Sequence, residues 1–153
     1  MIETIMLLST AALLTPDGSP DLTGPGRFCG FAPIIDLLPG ETITTREIGI
    51  HSGSFRWTGE FGAFEVRGIG WASQPKGHLI RKPTGAQPGR FKQRRDKGRF
   101  VVAIWNGGHG AAYFTSERLF SAAQIAAIDR VTLFEEGQSP PEGCTLRTTF
   151  SWD

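Results

Sequence analysis

The sequence predicts a mainly β domain, an antiparallel barrel or sandwich with one short helix near residues 121–129. Three observations predict it. Short runs rich in Val, Ile, Thr and Phe recur along the chain with apolar and polar residues alternating, which is the period of a half-buried strand. Gly (20) and Pro (10) punctuate those runs among 153 residues. Most stretches between runs are too short for the crossover that parallel neighbours need, which leaves antiparallel pairing.

The elements follow in order. Ile5 to Leu14 reads IMLLSTAALL, the length of a signal-peptide core and too short to span a bilayer, and the breakers Pro16, Gly18 and Pro20 come next. Glu3 and the lack of a preceding Lys or Arg fit that reading poorly, so residues 1–20 are read as a signal peptide or a flexible N-terminal segment. Residues 21–153 form a single β-rich domain, a length that suits one core. Gly24 to Gly30 reads as a loop around Pro25 and Gly26, and Phe31 to Leu38 as an apolar run ended by the Pro39–Gly40 turn. Glu41 to Ile50 reads as a strand with Thr42, Thr44, Arg46, Ile48 and Ile50 on one face. Ser54–Thr58 and Phe61–Ser73 flank Gly59–Glu60 and predict a hairpin. In its second arm Glu65, Arg67, Ile69 and Trp71 oppose Phe64, Val66, Gly68 and Gly70, and those glycines mark a bulge or a place where a bulky ring lies on backbone.

Phe100 to Trp105 reads FVVAIW, apolar on both faces, and predicts a central strand covered on both sides. Asn106 to Gly110 connects it to a partner strand at Ala111–Thr115. Ser121 and Gln124 have the spacing of a capping box, which starts a helix running to about Asp129. Val131–Phe134 returns to strand composition, Gly137–Gly143 is a loop, and Cys144–Trp152 is a last strand.

Charge is segregated. The net +1 conceals a segment, Gln74 to Arg99, with nine basic residues and one acid, hence +8. The rest of the chain holds seven basic and fourteen acidic residues, hence −7. Three prolines and four glycines between Gln74 and Gly98 predict a long basic loop at 74–99. Its residues Lys76, Arg81, Lys82, Arg90, Lys92, Arg94, Arg95, Lys97 and Arg99 are the candidate site for an anionic partner. In an exported protein that partner is a lipid headgroup, a lipopolysaccharide phosphate or an acidic protein; in a cytoplasmic one it is nucleic acid. Phe91, set among Arg90, Lys92, Arg94 and Arg95, is the one aromatic there for base stacking, so nucleic acid ranks second.

Cys29 and Cys144 are the only cysteines, and an even count predicts a disulfide and with it a periplasmic or secreted protein. The alternatives are two buried thiols and a cytoplasmic location. Catalytic signals are few. His51, His78 and His109 match no metal-ligand spacing, no G-x-S-x-G elbow exists, and the Asn106–Gly110 glycines lack the Lys-Ser/Thr of a phosphate loop. No metal and no cofactor is expected. The leading expectation is a binding or interaction module. The alternatives are a hydrolase-like enzyme using His51 or His109 with a nearby carboxylate, and a structural protein without ligand.

Overall fold

The computed structural model describes residues 20–135, 137–139 and 141–147. The apolar run Ile5–Leu14 and the end of the last expected strand, Thr148 to Trp152, lie outside the described residues. In chain order the strands are β1 (Leu22–Thr23), β2 (Gly26–Cys29), β3 (Pro33–Leu37), β4 (Thr42–Ile48), β5 (Ser52–Gly59) and β6 (Gly62–Ile69). They continue with β7 (Leu79–Arg81), β8 (Gly89–Phe91), β9 (Arg94–Asp96), β10 (Arg99–Trp105) and β11 (Ala111–Ser116). Helix α1 (Ala122–Ile128) precedes β12 (Thr132–Leu133) and β13 (Cys144–Arg147).

Among the described residues these strands make two sheets. The larger runs β1-β4-β5-β6-β11-β10-β8-β7, with β9 also paired to β10. The smaller runs β12-β3-β2-β13. The end strands of the larger sheet do not meet, so of the two expected architectures the open sandwich is the one formed. Pairing is antiparallel throughout except between β13 and β2, which run parallel.

Strand period places the core. Phe55, Trp57, Phe64, Val66 and Phe114 point to one face of the larger sheet and are fully or almost fully buried. They meet Phe28, Ile35 and Leu37 of the smaller sheet and Ala127, Ile128 and Val131 at the end of α1. In β10, Val101 to Ile104 are all buried, as expected of a strand apolar on both faces. Of the two glycines expected to mark a bulge or a ring lying on backbone, Gly68 has the second role, in register without a bulge, and Gly53, not singled out from sequence, shares it. Gly53 and Gly68 sit opposite each other, and a Cβ on Gly68 would stand 2.1 Å from the Gly30 carbonyl oxygen and 2.7 Å from the Pro33 ring. A Cβ on Gly53 would stand 2.6 Å from the Phe31 ring.

Two expectations are corrected. Gly24 to Gly30 is not all loop, because Gly26–Cys29 forms β2 and Phe28 and Cys29 are buried. The segment 74–99 is not one long loop, because β7, β8 and β9 lie in it. β10 is an interior strand, and its second edge would otherwise leave buried backbone groups unpaired. The preceding segment supplies the partners: Arg94–Asp96 pairs with Arg99–Val101, and Gly89–Arg90 with Ile104–Trp105. Lys97 and Gly98 both have positive φ (50° and 79°) and close the β9–β10 hairpin in two residues. Phe91 is 2% exposed, so its ring belongs to the interior and is not offered to a base.

Candidate functional site

With the small sheet and α1 on one face of the large sheet, the alternate residues of its strands form an outer face. Register sets Arg56 against Glu65, Ser54 against Arg67, Arg67 against Tyr113, and Glu65 against Thr115. Arg94 pairs with Val101 beside them. In β4 the pairing passes from Thr45–Phe55 to Glu47–Ser54, so Arg46 is the extra residue of a bulge, a feature that re-aims side chains.

Three hollows adjoin through the shared residues Glu65, Arg67, Arg99 and Thr115, one of them also lined by Ser121 and Gln124 at the start of α1. Arg46, Arg56, Arg67, Arg94, Arg99 and Arg118 line them, against Glu65, Asp96 and Glu117. Each acid engages one arginine: Glu65 with Arg56 at 3.4 Å, Asp96 with Arg94 at 3.7 Å, Glu117 with Arg99 at 3.7 Å. Arg46, Arg67 and Arg118 have no ion pair among the described residues. The lining of these adjoining hollows therefore carries an excess of three positive charges. Burial pushes the Tyr113 phenol pKa up, and the nearby Arg94 and Arg67 guanidiniums pull it down by less.

The nine basic residues of 74–99 divide into two groups. Arg81 and Arg90 both turn inward to Asp129, the C-cap of α1, with Arg90 Nε at 3.0 Å from its carboxylate. Arg81 also donates to the Pro88 carbonyl at 2.9 Å. These two guanidiniums fasten the segment to the helix. Lys76, Lys82, Lys92, Arg95, Lys97 and Arg99 are exposed, and Arg94 is half-buried on the outer face. Arg95 lies over the Phe100 ring, 5.2 Å from its centroid.

His51 and His109 come together around Trp71. The ladder continues beyond the strand ends, with Gly70 N–H donating to the His51 carbonyl at 2.8 Å and Ala72 N–H to the His109 carbonyl at 2.6 Å. β6 lies between β5 and β11, so Trp71 stands between the two imidazoles, its ring centroid 5.5 Å from that of His51 and 5.9 Å from that of His109. The indole is 70% exposed. The Glu135 carboxylate accepts from the His109 main-chain N–H at 2.9 Å and so holds the loop backbone. Elsewhere on the sheets Glu65 engages Arg56 at 3.4 Å and Asp36 engages Arg27 at 2.7 Å. The Arg27 hydrogen bond holds the Asp36 carboxyl below the usual carboxylate range. His78 is exposed, and its carbonyl accepts from Lys92 N–H.

Cys29 and Cys144 are joined in a disulfide, Cα atoms 5.7 Å apart, which ties β2 to β13. Among the described residues no group of three or more His, Cys, Asp or Glu is placed to hold a metal ion. No described helix is long and apolar enough to cross a membrane.

Arg46, Arg56, Arg67 and Arg118 lie outside the basic segment and were not singled out from sequence. The available signal was the alternation that put Arg67 on one face with Glu65, Ile69 and Trp71, and Arg46 on one face with Thr42, Thr44, Ile48 and Ile50. Strand order, which unites those faces, has no local signature. Compared with known protein families, curated proteins and solved structures, this chain has no match.

Proposed function

We propose that the protein is an exported binding domain that takes an anionic partner on the outer face of its larger sheet, with the exposed lysines of 74–99 extending that surface. The observation that carries this reading is the excess of three arginine charges over the acids of the outer-face hollows. Such a surface attracts polyanions, and the attraction falls with salt. The disulfide favours the periplasm or the extracellular side over a reducing cytosol. There the candidate partners are lipid headgroups, lipopolysaccharide phosphates or an acidic protein. Nucleic acid ranks lower, since the one aromatic of the basic segment, Phe91, is buried.

Retention on immobilised heparin at two salt concentrations tests the binding. The expected result is retention that falls with salt and is weakened when Lys76, Lys82, Lys92 and Lys97 are replaced by serine. Wild type and variant eluting together, or no retention, overturns the reading. Intact-mass analysis from the native host tests export: a two-dalton gain on reduction is expected, and a reduced chain overturns the compartment.

A further inference from the structure

The outer face is most basic where β4, β5, β6 and β11 lie side by side. A hollow of about 460 Å³ opens there, within the range of small-ligand sites. Arg46, Arg67 and Arg99 line it, together with the hydroxyl residues Ser54 and Thr115 and a single acid, Glu65. Glu65 is engaged by Arg56, and the Arg99–Glu117 pair is long and solvent-exposed, so it restrains Arg99 weakly. Arg46 and Arg67 have no ion pair, yet the β4 bulge brings Arg46 into the same hollow as Arg67. Two uncompensated guanidiniums repel each other until an anion joins them. A guanidinium fork matches the oxygens of a phosphate in a bidentate way that a lysine does not.

We infer that this hollow binds a phosphate monoester. Arg46 and Arg67 are its bidentate donors, Arg99 adds a third charge, and the Ser54 and Thr115 hydroxyls donate to the remaining oxygens. A monoester carries about −1.5 to −2 at neutral pH, which matches the two unpaired arginines. A diester or a carboxylate carries about −1 and leaves one of them uncompensated. The inference rests on the reading that the outer face takes an anion, and it specifies the group recognised.

The test is titration calorimetry of the full chain with glycerol phosphate and with dimethyl phosphate, and sedimentation with vesicles of phosphatidylcholine containing either phosphatidate or phosphatidylglycerol. Saturable binding of glycerol phosphate is expected, weakened about tenfold or more by R46Q and by R67Q, each of which removes charged hydrogen bonds. Dimethyl phosphate is expected to bind at least about tenfold more weakly. R46K and R67K keep the charge without the fork and fall between. Q138A, at an exposed residue that lines none of the outer-face hollows, is expected to change affinity less than about twofold. Binding confined to phosphatidate vesicles and lost in R46Q and R67Q supports the inference with a lipid as the source. Equal affinity for monoester and diester, binding insensitive to Arg46 and Arg67, or no binding in either format overturns it. Heparin retention separates the two levels: if it persists while the monoester fails, only the inference falls, and if it is absent, the anionic-surface reading falls as well. Urea midpoints of all variants confirm an intact fold.

Discussion

Gly53 and Gly68 show how single residues set the distance between the two sheets. They face each other across β5 and β6, and the Phe31 ring and the Gly30–Pro33 turn lie on them where a side chain would be. Backbone at 2.1 Å from a would-be Cβ cannot move aside as a flexible side chain can. Gly68→Ala is therefore expected to lower stability by about 1–3 kcal/mol or more, read as a fall in the urea midpoint. Glu41 is the buried acid of the core. It is 5% exposed and accepts from Trp57 Nε1 at 3.3 Å, from Leu38 N–H at 3.1 Å, and from Arg130, whose guanidinium also lies over the Trp57 ring. Arg130→Met removes the compensating charge and is expected to destabilise by about 3 kcal/mol, with much of the loss recovered in the double variant with Glu41→Leu. A double variant as unstable as the single one would contradict this account. Tyr113 gives the pH dependence. Its raised pKa means that the folded phenol keeps its proton where the unfolded one has lost it. The stability it contributes is full below about pH 10, the unfolded value, and is lost as pH rises through the folded value. Tyr113→Phe should thus lose less stability than wild type between about pH 8 and about pH 11 in paired urea titrations.

At the scale of elements, the local code is read most directly in α1. Ser121 caps the Gln124 N–H at 3.1 Å and the Gln124 side chain accepts from Ser121 N–H at 3.0 Å, the reciprocal box expected from their spacing. The helix has seven residues and depends on that cap and on Ala127 and Ile128 in the core. Ser121→Ala is expected to cost about 1 kcal/mol, measured as a shift in thermal midpoint beside an exposed control such as Ala123→Ser. The β5–β6 hairpin, β10 and β11 are equally legible, because alternation and turn residues act over a few positions. The strands of 74–99 are not. β7, β8 and β9 have three residues each, too few to display a period among three prolines and four glycines. They exist because an edge of β10 requires partners and because Asp129 draws Arg81 and Arg90 inward. The basic segment thus splits into residues that hold the fold and residues that face solvent, a division set by contacts distant in sequence.

For the whole molecule, the disulfide and the outer face are the features that depend on everything else being in place. The bridge joins residues 115 apart and pins the parallel strand β13 to β2. Closing a loop of that length is worth about 4–5 kcal/mol in the chain-entropy account, so reduction should lower the urea midpoint markedly, and Cys29→Ser should reproduce the loss without reductant. Unchanged unfolding after reduction would mean that the sandwich carries its own stability. The outer face draws its arginines from β4, β5, β6, β9, β10 and the segment after β11, elements brought together only by strand order.

The sequence by itself determined the β class, the hairpins, the capped helix, the buried central strand and the separation of +8 from −7, because propensity, turn chemistry and charge are properties of neighbours along the chain. It also limited the cysteines to a single intrachain pairing. Only the tertiary structure decided that the sandwich stays open, that the basic segment becomes edge strands, that Phe91 is interior and that His51 and His109 meet at Trp71. It alone brought Arg46 and Arg67 into one hollow. Each of these depends on which edges and faces meet across long stretches of chain, and those encounters are selected by the burial and backbone pairing of the whole domain.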